Sequence, residues 1–158
     1  MLANEIFDRL KTEFGDAILA FDDTQPTDPF IMVQTDKVFD VCYSLRDNDK
    51  FQFDYLMCLT GMDLGEDVGV VYHLYSMKFK HKVVLKVVAP KADPKVPSVE
   101  MLWKTADWHE REAYDLMGVQ FEGHRNLIRI LCPYDWEGHP LRKDYETPEF
   151  YHGMKVSY

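Results

Sequence analysis

The sequence predicts an α+β fold, with helices packed on a mixed, mostly antiparallel sheet and an extended C-terminal arm behind them. Three observations predict it. Two stretches near the N-terminus repeat their apolar residues at helical spacing, and three apolar and aromatic runs follow one another between residues 51 and 90. From residue 132 onward no period of either kind survives.

In "NEIFDRLKTEFG", Ile6, Leu10 and Phe14 recur every fourth residue beside Phe7, and Gly15 stands where a helix would end. "AILAFDD" and "PFIMVQTD" read as two short strands around the turn-rich "DTQPTD". Val38, Val41, Cys42 and Leu45 then return to helical spacing in "DKVFDVCYSLRDN". "FQFDYLMCLTGMDL", "GVVYHLYSMKF" and "HKVVLKVVAP" are rich in strand formers, and their short connections favour an antiparallel meander. The order is therefore α-β-β-α-β-β-β. "APKADPKVPS" is expected to be irregular, because proline lacks an amide donor and turns its predecessor away from helix. Val99, Leu102 and Trp103 point to a short helix after it. A second helix has Asp107 and Glu110 as a capping box and Gly118 as its C-terminal stop. "NLIRIL" reads as a strand, and residues 132–158 as an arm appended to a domain of residues 1–131.

Length and composition exclude several classes. A chain of 158 residues, 46% apolar and 28% charged, has the size and balance of one globular domain, with no repeat and no low-complexity tract. It has no apolar run near the roughly 20 residues that cross a bilayer, and its first residues lack the basic flank and apolar block of a secretory signal. A formal charge of −9 repels nucleic acid and anionic lipid, leaving a basic or neutral protein surface as the better partner. Cys42, Cys58 and Cys132 are widely spaced and odd in number, as expected of free, mostly buried thiols in a reducing compartment.

Familiar chemical motifs fail one by one. "WHEREA" starts like the zinc motif H-E-x-x-H, but Ala113 occupies the position of the second ligand. No C-x-x-C, G-x-S-x-G or G-x-x-x-x-G-K-[ST] occurs, and Gly61, Gly65 and Gly69 are spaced for turns between strands rather than for a phosphate. Glu110 and Glu112, two apart on a helix, point about 200° apart and cannot flank one substrate. Arg111 can reach Asp107 or Asp115 at four-residue spacing. Such a cluster is either a solvated charged face or a docking surface. Ordering the arm costs about 1 to 2 kcal/mol per residue, and Tyr134, Trp136, Arg142, Lys143, Tyr145, Phe150 and Tyr151 are largely of the kind that recovers it at a surface. That surface is the arm's own domain or another subunit.

"ERE" at 110–112, "AYDLMG" ending at Gly118, "FEGH" ending at His124, "RIL" at 129–131 and "DWEGHPLRKDY" at 135–145 resemble the 30-kDa subunit family of respiratory complex I, the proton-pumping NADH:quinone oxidoreductase. The upstream "VPSVEMLWKTADWHEREAYDLMG" and the mid-chain "FDYLMCLTGMDL" with "VVYHLYS" are similar to it as well, so the likeness runs from about residue 50 to 155. It departs at Ile128, where the family usually carries Arg, Lys or Pro, although Arg129 follows at once. The resemblance implies a non-catalytic scaffold subunit of the peripheral arm, packed in a hetero-oligomer against the large quinone-site subunit and other peripheral subunits. It implies no metal or cofactor in this chain, with iron-sulfur clusters, FMN, NADH and quinone elsewhere in the assembled complex. Membrane contact would come only through the complex, on the cytoplasmic side of a bacterial inner membrane in preference to the mitochondrial matrix side, and the chain would not be the form fused to the large subunit. Glu110, Arg111, Glu112, Asp115, His124, Arg129, Trp136, Arg142, Lys143, Asp144 and Tyr145 are the expected subunit-interface residues. Equivalent subunits of membrane-bound hydrogenases, deazaflavin-dependent dehydrogenases and the photosynthetic ferredoxin-linked complex are the alternative within the family. A small acid-base enzyme using Glu110 or His109 is the alternative outside it.

Overall fold

A computed structural model describes residues 1–156; Ser157 and Tyr158, the end of the expected arm, lie outside the described residues. Helix α1 spans Ala3–Phe14 and buries Ile6 and Leu10, as their spacing requires. Its first turn is closed by Glu5, whose carboxylate accepts from the Leu2 amide at 2.8 Å, and Gly15 ends it with φ +55°. Strands β1 (Ile18–Asp22) and β2 (Phe30–Val33) pair antiparallel, and helix α2 (Val38–Asp47) carries the chain to β3 (Tyr55–Asp63), β4 (Asp67–Tyr75) and β5 (Lys82–Pro90). These last three form the antiparallel meander, and β5 then lies parallel to β2, which gives the sheet order β1-β2-β5-β4-β3.

Strand alternation sorts the sheet into a dry face and a half-wet one. Val68, Val70, Tyr72 and Leu74 of β4 and Val83, Leu85, Val87 and Ala89 of β5 join one core with Ile6, Leu10, Val38, Val41 and Leu45 from the first two helices. Of their alternates, His73, Lys86 and Val88 are half-buried, while Val71 and Val84 between them are buried on the other face. Helix α3 (Ala106–Met117) covers the β3 end of the dry face through Ala106, Ala113 and Met117. Gly61 makes this approach possible, since a Cβ there would meet the Met117 side chain at 3.1 Å. Gly61 and Gly69 thus lie within β3 and β4, and of the three evenly spaced glycines only Gly65 is in a turn.

Several other local expectations are corrected. Residues 99–103 form hydrogen-bonded turns instead of a short helix, with the Leu102 and Trp103 amides both donating to the Val99 carbonyl and the Trp103 indole N–H reaching the Phe53 carbonyl at 3.0 Å. The proline-rich segment is not wholly irregular: Lys95–Pro97 is a short strand, β6, paired parallel with β7 (Gln120–Glu122). Proline tolerates this at the last position of an edge. The Asp107–Glu110 capping box does not form, because Thr105 is the N-cap and Glu110 turns inward. Residues 126–131 make no strand, and the reason lies at α3. Residues 132–156 contain one small ribbon, β8 (Phe150–Tyr151) with β9 (Met154–Lys155), turned by His152 and Gly153 at φ +48° and +78°. Cys42, Cys58 and Cys132 are free; the first is buried, which pushes its thiol far above the usual range, and the other two are half-buried.

Candidate functional site

The residues singled out in the sequence gather around α3 in two clusters. The first closes the helix's C-terminal end. An α-helix leaves its last carbonyls without partners, and here residues from the following loop and arm supply them. The Asp115 carbonyl accepts from Arg129 Nη1 at 3.1 Å and His139 Nδ1 at 3.0 Å, the Leu116 carbonyl from the Leu141 amide at 3.0 Å, and the Met117 carbonyl from Arg142 Nε at 2.7 Å. Two cationic guanidinium groups and an imidazole thus sit at the negative end of the helix dipole. Gly118 lies beneath them in the left-handed region at φ +75°, as its sequence position implied.

Asp115 fastens the chain from the other direction. Its side chain has no exposure; Oδ1 accepts from Arg129 Nη1 at 2.6 Å, and Oδ2 accepts the amides of Ile130, Leu131 and Cys132 at 3.0, 2.7 and 2.8 Å. Burial raises the carboxyl's pKa, but these amides and Arg129 outweigh it and hold it down at about 2. Three successive amides turned toward one carboxylate cannot enter a sheet ladder, so "NLIRIL" is no strand. Arg111 makes neither of the helix-surface ion pairs its spacing allowed; it donates instead to the Ile128 and Arg129 carbonyls at 3.1 and 3.2 Å and lies 5.4 Å from the Trp108 ring centre.

Replacing Gly118 by alanine should destabilise the chain by about 2 kcal/mol, because a positive φ is strained for an L-residue and the new Cβ would collide with the Arg142 guanidinium and the His139 ring. Asparagine, which tolerates that φ, should lose nearly as much if the collision dominates. Chemical denaturation of both variants separates the two causes.

The second cluster lies near the start of α3. Glu110 is fully buried and accepts from Ser98 Oγ at 2.6 Å and the Val99 amide at 2.7 Å. Burial pushes its carboxyl up to about 7, aided by Glu100 and Asp107 and opposed by those two hydrogen bonds. Glu100, also buried, takes the Arg125 amide and Nε on Oε1; burial raises it, and Arg125 pulls it below the usual value. His124 Nε2 faces the Asp107, Glu100 and Glu110 carboxylates at 3.3, 3.7 and 4.0 Å. Glu100, Asp107 and His124 bring possible metal-ligating atoms within 4.8 Å of one another. However, the Asn126 amide donates to His124 Nδ1 at 3.0 Å, so Nε2 carries the hydrogen and offers no lone pair to a cation in this arrangement. A carboxyl with no solvent exposure, such as Glu110, likewise cannot trade protons with a dissolved substrate.

The remaining candidates brace the arm. Trp136 Nε1 donates to the Tyr145 hydroxyl at 3.0 Å, and the Lys143 amide reaches Asp63 Oδ2 at 2.7 Å, an oxygen that Lys91 also holds at 2.9 Å. Asp144 adds an ion pair to Lys91 at 3.4 Å, while Glu112 is exposed. Asp63 and His139 were not singled out in the sequence: Asp63 closes the run "FQFDYLMCLTGMDL" read as a strand, and His139 lies within the arm stretch "DWEGHPLRKDY" without being assigned a role. Outward from this framework stand Trp108, Ile128, Leu131 and Tyr134, which are 60, 52, 62 and 93% exposed.

Residues 31–151 match the family described as respiratory-chain NADH dehydrogenase, 30 Kd subunit. The chain is 47% identical over 152 residues to the C subunit of the NADH-quinone oxidoreductase of Chloroherpeton thalassium, covering 94% of this chain but 63% of that relative. It is 45% identical over 155 residues to the corresponding C subunit of Chlorobium phaeobacteroides, covering 96 and 93%. Among solved structures, a trypsin-resistant fragment (1–134) of Nqo5 superposes with TM-score 0.63 at 25% identity, covering 77% of this chain and 99% of the fragment. A chain of an archaeal membrane-bound sulfane sulfur reductase shares the fold with TM-score 0.73 at 22% identity, covering 90 and 85%. Matched along most of its length and sharing the fold of the Nqo5 fragment, the chain belongs to the respiratory-chain NADH dehydrogenase 30 kDa subunit family.

Proposed function

We propose that this chain is a non-catalytic scaffold subunit in the peripheral arm of a proton-translocating NADH:quinone oxidoreductase, where it packs against the large quinone-site subunit. One observation carries the reading: the loop and arm arginines Arg129 and Arg142 are consumed in fastening residues 129–142 onto α3, while an apolar rim of Trp108, Ile128, Leu131 and Tyr134 faces outward. Exposed aromatic and aliphatic side chains on a rigid frame are what a protein partner desolvates. Glu110, Asp115 and His124 would then act from beneath, by shaping that frame, and Arg111, Arg129 and Arg142 by holding the loop in register. Glu112, Lys143 and Asp144 would meet the partner directly, and Trp136 and Tyr145 would stiffen the arm.

In this reading residues 1–131 are the domain and 132–158 the docking arm. A fragment of Nqo5 that resists trypsin matches 77% of this chain, which supports a core that stands without the arm. Electron carriers, FMN, iron-sulfur clusters and quinone belong to neighbouring subunits. Among the described residues no helix is long and apolar enough to cross a membrane, in keeping with attachment through the complex on the cytoplasmic face of a bacterial inner membrane.

Arg111→Glu would set a carboxylate against the Ile128 and Arg129 carbonyls, and truncation before Trp136 would remove the arm. Both chains should keep the circular dichroism of the folded sheet yet recover at least about tenfold less of the large subunit in a pull-down, a loss of roughly 1.4 kcal/mol. Recovery equal to that of the unaltered chain would sink the proposal.

A further inference from the structure

A cleft of about 260 Å³ opens in the arm, lined by Asp135, Trp136, Glu137, Phe150, Tyr151 and His152. Its walls are held rather than loosely gathered. The Tyr151 hydroxyl donates to Asp135 Oδ1 at 2.8 Å and His152 Nε2 meets Asp135 Oδ2 at 2.8 Å. Trp136 lies 5.0 Å from Tyr151 between ring centres, and Tyr151 lies 4.3 Å from His152. The turn that brings His152 back over Asp135 is the ribbon between β8 and β9.

We propose that this cleft receives the guanidinium of an arginine side chain from a partner polypeptide; the assignment rests on the docking role given to the arm above. Aromatic faces attract cations through the ring quadrupole, and a planar guanidinium both stacks on them and forks onto a carboxylate, which a compact ammonium cannot do. Asp135 is occupied by Tyr151 and His152, so the free anion is Glu137, which is exposed and has no ion-pair partner among the described residues. The volume lies below the roughly 300 to 1,000 Å³ of cofactor and drug-sized sites, so one side chain fits and a nucleotide or flavin does not. The chain's net charge of −9 favours a basic visitor in the same sense.

The test uses the full chain alone, at about pH 8. N-acetyl-arginine methylamide is titrated against the indole N–H resonances of Trp103, Trp108 and Trp136, with the neutral N-acetyl-citrulline methylamide as the control of equal shape. The arginine probe should move the Trp136 signal saturably in the millimolar range and leave Trp108, whose ring already carries the Arg111 guanidinium at 5.4 Å, in place. Citrulline should move neither. Glu137→Gln, at an exposed position that cannot threaten folding, should weaken the arginine titration about threefold. Equal shifts at Trp108, an equal response to citrulline, or an unchanged midpoint in Glu137→Gln would each overturn the assignment. None of these outcomes bears on whether the large subunit is captured, which the pull-down above reads separately.

Discussion

Replacing Asp115 by asparagine is expected to free residues 129–142 from α3 while the sheet stays folded. The carboxylate serves four donors at once, Arg129 on one oxygen and three consecutive amides on the other. Asparagine has a single acceptor oxygen. Its amide group must therefore point donors at donors, and the Arg129 guanidinium, with 13% of its side chain exposed, loses its counter-ion. Removing one partner of a buried pair costs about 3 to 5 kcal/mol, more than the local contacts of an arm that has only a two-residue ribbon can absorb. Hydrogen exchange should show the amides of Ile130, Leu131 and Cys132 rising to exposed-loop rates while those of β4 remain protected. Capture of the large subunit should fall with them. Protection at 130–132 equal to that of the unaltered chain would mean that Asp115 is not the organiser of this loop.

Glu110 predicts a stability that depends on pH in the opposite sense from the usual carboxylate. Its pKa is raised from an ordinary 4.5 to about 7, so between those values the native state keeps a proton that the unfolded chain has released. Stability from this group is full below pH 4.5, declines as pH rises, and is gone above about 7; the whole difference is about 3 kcal/mol. Asp115, held low at about 2, has its own window: its contribution is present above 3.8 and lost as pH falls through about 2. His81 and His139, both lowered chiefly by burial, push the other way within the Glu110 window, since they favour the native state as pH rises. The clean comparison is therefore with Glu110→Gln, whose amide oxygen can still accept from the Val99 amide, whose NH2 can donate to Ser98 Oγ where Glu110 accepts from it, and which cannot ionise. Urea denaturation should find the variant gaining on the unaltered chain by about 3 kcal/mol between pH 4.5 and 8. A parallel pair of curves would show that Glu110 is not buried as described.

Much of the fold was legible because periodicity reports burial directly. Ile6 and Leu10, Val41 and Leu45, and the alternating runs of β4 and β5 each announced the face they bury. The failures share a cause: a contact made across sequence by a polar group. "NLIRIL" has the residues of a strand, but its amides are taken by a carboxylate fifteen and more residues upstream. The 99–103 turns are set by a tryptophan reaching Phe53, fifty residues away. Glu110 was readable in principle, since Ala106, Ala113 and Met117 mark the inward stripe of α3 and helical spacing places Glu110 on it. Grouping "ERE" as one charged cluster hid that the middle and last residues look outward and the first looks in. Asp63 and His139 had no such signal, because their partners, the Lys143 amide and the Asp115 carbonyl, are backbone groups that sequence does not distinguish.

The physical picture is of a helix whose C-terminal carbonyls and one buried carboxylate together organise the chain beyond it, so that charge is spent inward and apolar surface is presented outward. That picture is tested most directly by purifying the chain natively from its source, under gentle detergent, and identifying what comes with it by quantitative mass spectrometry. The large quinone-site subunit is expected at one copy per copy of this chain, with loss of both the complex and loop protection in Asp115→Asn. Recovery of the unaltered chain chiefly as a free monomer, with no large subunit in proportion, would contradict it.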